Sequence, residues 1–443
     1  MTKVITYGTY DLLHYGHLRL LERAKALGDY LIVGVTSDDF DKGRGKINVQ
    51  QSFMERVEAV RATGLADEII AEEYVGQKID DIKRLGVDIF AIGSDWRGHF
   101  DYLNEYCKVV YLERTAGVSS SELRAEKREV RLGLIGNYVS VIEKFIAECK
   151  YVNGLKISGV CCSGLKGYEE NEDILMLSDY DVLLDASDAV YIASFPKEHY
   201  EKIKRALQRG KHVLCESPLT IVPEQIEELV NLAKENGCVL MDSIKTAYSM
   251  AYSRLLLLAK SGIIGNIFSV DATCTSLKEF TKSTDFSNKW NSICAWGPTG
   301  LLPIFQLLGT EGYSCNIISH LIDKKTNFDG FTKIAFVYPN AVASVKVGQM
   351  VKSEGNLIIS GTKGYIYVPA PWWKTDYFEV RFENTEKNKR YFYQLDGEGI
   401  RYELVSFVKA INEGHDDFYV NREVSMEISK IINMFEDGDF VNI

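Results

Sequence analysis

Two successive series of short apolar runs, each alternating with amphipathic stretches, constrain this 443-residue chain more than any other feature. From residue 3 to 128 the runs VITYG, DYLIVGV, DEIIA, DIFAIG and KVVYLE alternate with HLRLLERAKALG, FMERVEAVRATG and KIDDIKRLG. Neighbouring parallel strands need long crossover connections, which helices supply, so this alternation predicts βαβ units around a parallel sheet. The segment SSSELRAEKRE then reads as a capped, charged helix that closes the series near residue 129. A second α/β series follows at once, with VRLGLIG, a helix over VSVIEKFIAECK, then KISGVCC, DAVYIAS, HYEKIKRALQRGKHVLCE and PEQIEELVNLAKENGCVLMD. Beyond about residue 247 the runs lengthen and become rich in Val, Ile, Tyr and Phe, which predicts a mostly antiparallel sheet with helices at 400–412 and 422–435. Three domains are therefore expected, at 1–129, 130–246 and 247–443. They comprise a Rossmann-like parallel sheet, a second Rossmann-like domain and an α+β domain.

Composition narrows the function. A formal net charge of −11 argues against a general nucleic-acid binder, because phosphate-backbone binding needs clustered Lys and Arg. No apolar run reaches membrane-spanning length and no signal peptide opens the chain, so a soluble cytoplasmic protein without membrane insertion is expected. The nine cysteines show no metal or disulfide spacing and read as reduced core residues.

The stretch ITYGTYDLLHYGH at 5–17 carries the chemistry. It reads as strand, turn and helix, which puts His14 and His17 where a strand's C-terminal end hands over to a helix. Gly16 lets a ligand approach the backbone there, and the amides of a helix N-terminus suit phosphate. Two imidazoles on that platform could donate hydrogen bonds to phosphoryl oxygens as charge builds. The plainer reading is that both histidines cap or pack the helix start.

GTYDLLHYGH, together with GSDW at 93–96 and RTAGVSSS at 114–121, resembles the nucleotidyltransferase superfamily of cytidylyltransferases, with glycerol-3-phosphate cytidylyltransferases the nearest in pattern. That resemblance covers roughly residues 1–128 and implies attack of a polyol phosphate oxygen on the α-phosphate of CTP, expelling pyrophosphate. Carried over by position, it makes His14 and His17 the residues that stabilise the reacting phosphates, and it makes Gly8, Thr9, Tyr10, Asp11 and Gly16 the nucleotide-holding turn. It brings Lys46 and Arg44 in from a basic loop, sets Asp95 on the nucleoside, and has Arg114, Ser119 and Ser120 clamp the triphosphate. Mg²⁺ is expected with CTP, although no carboxylate cluster marks a dedicated site. Where the family commonly reads Arg-x-Val-Asp, this chain has Thr63-Gly64-Leu65-Ala66-Asp67, which opens the acceptor to glycerol 3-phosphate or a larger polyol phosphate. The resemblance further implies a homodimer and a place in teichoic acid or capsule synthesis.

From about residue 130 onward, DAVYIASFPKEHYEKIKRALQRGKHVLCESP and KSGIIGNI resemble the Gfo/Idh/MocA oxidoreductases, which implies an NAD(P)-binding fold. The chemistry departs from that pattern. The turn reads Gly136-Asn137-Tyr138-Val139-Ser140-Val141, with Tyr and Val where a dinucleotide loop wants glycine. The family's Glu-Lys-Pro stands as Glu216-Ser217-Pro218, and its later acid and His fall near Ala295 and Thr299. Lys245 and Tyr248 are the candidate substitutes. The expectation is a cytidylyltransferase carrying a degenerate oxidoreductase-like half. The alternative is a bifunctional enzyme that reduces a keto-sugar phosphate with NAD(P)H before cytidylyl transfer.

Overall fold

In the computed structural model, every residue is described except 39, 41–48, 50, 52, 75, 114–128, 153, 168–173, 282, 288, 394, 396 and 415–417. The chain divides into two compact units, Met1–Glu129 and Val130–Ile443. The expected helix at 119–129 lies almost wholly outside the described residues.

In the first unit, β1 (Lys3–Gly8), β2 (Tyr30–Thr36), β3 (Glu68–Glu72), β4 (Ile89–Gly93) and β5 (Lys108–Leu112) form one sheet in the order β3-β2-β1-β4-β5. Every pairing is parallel. The described helices are α1 (Tyr15–Lys25), α2 (Phe53–Ala62) and α3 (Gln77–Leu85). Ile5, Tyr7, Ile32, Phe90 and Ile82 pack in one cluster, whereas Val4, Leu31, Val33, Leu21 and Val57 pack in another. Alternate residues of β1 and β2 thus feed two layers, as the period-2 geometry of a strand requires. The chain steps outward from β1 to β2 and β3, then crosses to β4 on the other side of β1. That reversal opens a crevice at the strands' C-terminal ends, where open α/β sheets bind ligands.

The Thr63–Asp67 segment lies at the other edge. The Asp67 amide donates to Leu31 O at 2.9 Å, and Asp67 Oδ2 accepts from the Leu31 amide at 2.6 Å, beside the start of β2. The segment leads from α2 into β3, at the end of the sheet opposite the strands' C-terminal ends.

The second unit opens with β6 (Val130–Gly136), β7 (Leu155–Cys161), β8 (Leu175–Met176), β9 (Ala189–Ala193), β10 (His212–Glu216) and β11 (Leu240–Ser243). They form a parallel sheet in the order β11-β10-β9-β6-β7-β8. Described helices α4 (Val139–Cys149), α5 (Tyr180–Ala186), α6 (Pro196–Gln208) and α7 (Pro223–Glu235) connect these strands.

Beyond them, helices α8 (Met250–Lys260) and α9 (Ser292–Leu308) accompany a nine-stranded sheet of β12 (Ile267–Thr275), β13 (Ser314–Asp323), β14 (Phe328–Val337), β15 (Val342–Gly348), β16 (Leu357–Gly361), β17 (Tyr365–Val368), β18 (Tyr377–Arg381), β19 (Lys389–Phe392) and β20 (Val441–Asn442). Most pairings are antiparallel, but β12 with β15 and β13 with β20 are parallel, so the sheet is mixed. Helices α10 (Ile400–Glu413) and α11 (Arg422–Glu436) fall where the periodicity puts them. Among the described residues no helix is long and apolar enough to cross a membrane.

A group of buried acids ties the two parts of this unit together. Asp242 on β11 accepts from Ser425 of α11 at 2.6 Å, and Glu403 of α10 accepts from Ser243 at 3.0 Å. Burial pushes the Asp242 carboxyl up to about 7, with Glu216 adding to the rise. The folded state therefore holds a proton that the unfolded chain releases. The stability linked to Asp242 is fully present below about pH 4 and is lost as pH rises through about 7, by up to ~4 kcal/mol. Asp242→Asn should flatten the fall in unfolding stability of this unit between about pH 4 and about pH 7, measured by denaturant titration. An unchanged pH slope in the variant would contradict the assignment.

Candidate active site

The loop between β1 and α1 holds two non-glycine residues in left-handed backbone conformation, Tyr10 at φ 55° and Leu12 at φ 48°. Such residues cost energy and persist only where their surroundings over-determine them. Gly8 gives Tyr10 its place, because a Cβ at Gly8 would stand 3.0 Å from the Tyr10 ring. That ring is 2% exposed and meets His17 edge-on, with centroids 5.5 Å apart. Tyr10 is thus a buried support beneath His17, and the expected place for it on the nucleotide is corrected to that extent.

His14 is the N-cap of α1 and His17 is its third residue, N3. Nδ1 of His14 accepts from the Gly16 amide at 3.0 Å, and Nδ1 of His17 accepts from the His14 amide at 3.4 Å. This is a capping box in which two imidazoles take the places usually held by Ser or Thr and Glu. The rings stack with centroids 3.9 Å apart and an interplanar angle of 20°. A neutral ring whose Nδ1 accepts carries its proton on Nε2, so the caps set both tautomers and make each Nε2–H the donor. Capping, posed above as the plainer reading, occupies the Nδ1 edge of both rings.

Arg56 on α2 secures the loop. Its side chain is fully buried, donating from Nη1 to Thr9 O at 2.6 Å and to Thr36 O at 2.8 Å, from Nε to Gln51 O at 3.1 Å, and from Nη2 to Asp38 Oδ1 at 2.6 Å. Gln51 also closes on the loop, its amide donating to Asp11 Oδ1 at 3.0 Å and its Oε1 accepting from the Leu12 amide at 2.8 Å. Thr9 and Asp11 are thereby bound into the scaffold. Arg56 drew no attention in the sequence, where a charge on an amphipathic helix reads as solvated. Its signal was phase, because it shares a buried face with Val57 and Val60.

A cleft of about 290 Å³ occupies the crevice. Gly8, Thr9, Thr36 and Glu72 from the ends of β1 to β3 line it, with Lys78 of α3 and an aromatic side formed by Trp96, His99, Phe100 and Tyr102. Lys78 pairs with the buried Glu72, which also accepts from Thr36 Oγ1 at 3.0 Å. The Lys78 ammonium lies 4.6 Å from the Tyr7 ring centroid and 5.5 Å from that of Phe100. Tyr7 in turn donates to Asp81 at 2.8 Å. Glu72, Lys78 and Asp81 were missed by sequence reasoning, because their pairing depends on strand order. Asp95 stands exposed on the short 3₁₀ turn Ser94–Trp96 after β4. Arg44, Lys46, Arg114, Ser119 and Ser120 lie outside the described residues. Among those described, no group of three His, Cys, Asp or Glu side chains is arranged to hold a metal.

In the second unit the turn after β6 is built differently from a dinucleotide loop. Gly136 is needed for packing, since a Cβ there would stand 2.9 Å from Ala193 O. The Tyr138 hydroxyl accepts from the Trp290 amide at 3.0 Å, and its ring packs edge-on against Trp290 and Phe195. A side chain so fixed stands where the backbone of a dinucleotide loop must be bare. Glu216 takes a hydrogen bond from Tyr191, and burial pushes its carboxyl up. Lys245 is paired with Glu398 at 3.0 Å. Tyr248 is buried against Tyr419, with ring centroids 5.4 Å apart. Gly136, Glu216, Lys245 and Tyr248 are thus each engaged in packing or pairing.

Residues 5–126 match the cytidylyltransferase-like family, and residues 130–243 match the oxidoreductase family with an NAD-binding Rossmann fold. Glycerol-3-phosphate cytidylyltransferase of Bacillus spizizenii is 49% identical over 126 residues, which are 28% of this chain and 97% of that protein. The enzyme of the same name from Staphylococcus aureus is 44% identical over 126 residues, covering 28% of this chain and 95% of its own. Among solved structures, a 3-ketoreductase from Actinomadura kijaniata in complex with NADP and TDP-benzene superposes with a TM-score of 0.63. That match spans 71% of this chain and 99% of that one at 18% identity, a likeness of fold.

Arg56→Met should lower stability by about 2–4 kcal/mol, the scale of leaving two or more buried carbonyls without a donor, and release the loop beneath His14. Arg56→Lys keeps the charge but cannot donate to Thr9, Thr36 and Gln51 together, and should recover only part of the loss in thermal unfolding.

Proposed function

This chain belongs to the cytidylyltransferase-like family through residues 5–126 and is a nucleotidyltransferase, and from that premise we propose that it transfers CMP from CTP to glycerol 3-phosphate or a related polyol phosphate. The observation that carries this reading is the histidine capping box, which fixes both imidazoles at a helix N-terminus just beyond the C-terminal end of β1. In the reaction a phosphate oxygen of the acceptor forms a bond to the α-phosphorus of CTP. The bond from that phosphorus to the bridging oxygen breaks, and pyrophosphate leaves with the electron pair. Two anions are brought together, so the protein's task is positioning and charge compensation. His14 and His17 donate to phosphoryl oxygens as their charge grows, at a site that the strained loop holds in place before substrate arrives. Lys46, Arg44, Arg114, Ser119 and Ser120 are assigned to the triphosphate by family position, and Mg²⁺ carried in with CTP would neutralise part of its phosphate charge.

The aromatic side of the cleft suits a stacked pyrimidine, and Thr36, Glu72 and Lys78 suit the hydroxyls and phosphate of a small polyol phosphate. Names of the curated relatives support glycerol 3-phosphate as acceptor and a CDP-glycerol product, and with it a place in teichoic acid or capsule synthesis.

The second unit is read as an oxidoreductase fold retired from hydride transfer. Tyr138 in the turn, Ser217 in place of lysine, and Ala295 and Thr299 in place of the later acid and His support that reading. The bifunctional alternative, reduction of a keto-sugar phosphate with NAD(P)H, has in its favour the likeness of fold to the NADP-bound 3-ketoreductase.

The test is release of pyrophosphate from CTP with a panel of polyol phosphates, with the CDP-alcohol identified by mass. His17→Ala should lower kcat by roughly 100- to 1,000-fold, the scale of losing one transition-state donor, while loss of its cap should cost only about 1 kcal/mol of stability. Near-normal turnover in that variant would remove His17 from the mechanism.

A further inference from the structure

Three lysines from separate parts of the second unit converge on a single carboxylate. Lys144 of α4 and Lys245 beyond β11 reach Oε2 of Glu398 at 2.9 Å and 3.0 Å, and Lys374 reaches Oε1 at 2.6 Å. Among the described residues no other carboxylate is paired with any of the three, so there one carboxylate meets three ammonium groups. Glu148 is engaged by Arg401 at 2.7 Å. Glu216 and Glu403, which feel Lys245, are held toward their neutral forms by burial.

Glu398 is also held in an unusual way. Its φ is 55°, a left-handed conformation that costs a side chain with a Cβ, and Gly397 and Gly399 beside it have φ 54° and 94°. The loop leads directly into α10, whose N-terminal amides add further attraction for an anion. All four side chains are partly exposed, between 29% and 49%, so solvent reaches the cluster.

We propose that Lys144, Lys245 and Lys374 form a binding site for a phosphomonoester dianion, and that Glu398 occupies this site as the chain's own counter-ion until such a ligand displaces it. The match is one of charge and valence. A carboxylate offers two oxygens and one charge to three ammonium groups, whereas a phosphomonoester offers three terminal oxygens and nearly two charges. An internal carboxylate competes at high effective concentration, so the intact chain should bind phosphate weakly and a chain without that charge should bind it well.

The experiment is calorimetric titration of inorganic phosphate into the full chain, at ionic strength held constant with chloride. Glu398→Gln should bind phosphate roughly tenfold or more tightly than the wild type, and adding Lys374→Gln to that variant should abolish the gain. Phosphate binding in the first unit is common to all three proteins and cancels. Glycerol 3-phosphate should bind Glu398→Gln at least as tightly as inorganic phosphate. Failure to do so overturns the monoester assignment. Wild-type affinity in Glu398→Gln, or a gain that survives Lys374→Gln, overturns the site. A second readout needs no variant. In the wild-type chain, saturating phosphate should slow acylation of Lys245 and Lys374 by an amine-reactive ester severalfold, read by peptide mass spectrometry, and leave the exposed Lys260 unaffected. Equal labelling with and without phosphate contradicts the proposal.

Discussion

The guanidinium of Arg56 is the interaction on which the candidate active site rests. Burying a charge is costly unless each donor finds an acceptor, and this one meets the carbonyls of Thr9, Thr36 and Gln51 and the carboxylate of Asp38. Those partners belong to the end of β2, the approach to α2 and the loop before α1. One planar group thus fixes how far apart three chain segments stand. With Gln51 locked to Asp11 and Leu12, it holds the left-handed backbone at Tyr10 and Leu12, and that backbone aims α1 and its histidines. The order of causation runs from a buried charge, through a strained turn, to a pair of ring nitrogens.

The histidine spacing follows from the same geometry. An N-cap residue and the third residue of its helix are the two that can satisfy each other's neighbouring amides. When both are histidine, each spends Nδ1 on the cap and keeps Nε2–H as its donor, without any further group needed to select the tautomer. Stability of the helix end and the choice of ring tautomer are therefore properties of one arrangement.

Much of this was legible in the sequence where the information is local. Strand–helix alternation gives the parallel sheets, the glycine and histidine placement gives the strand-to-helix handover, and helix periodicity gives α10 and α11 nearly to the residue. What was not legible is non-local. Arg56 reads as a surface charge until β2 and the α1 loop are folded onto it. Glu72 and Lys78 become a cleft wall only once β3 is placed beside β2. That the Thr63–Asp67 departure lies at the strand N-termini is likewise set by where β3 begins and not by the family pattern it interrupts. The cluster of Lys144, Lys245 and Lys374 on Glu398 joins residues up to 254 positions apart, and no spacing rule reaches that far.

The chain carries a cytidylyltransferase-like first unit and a second unit whose oxidoreductase fold has Tyr138 fixed where a dinucleotide would need bare backbone. The most direct test of that central claim is calorimetric titration of the full chain with CTP and Mg²⁺, and separately with NADH and NADPH. Binding of CTP with no heat from either dinucleotide is the result the account predicts. Micromolar binding of NADH or NADPH would contradict it and restore hydride transfer to the second unit.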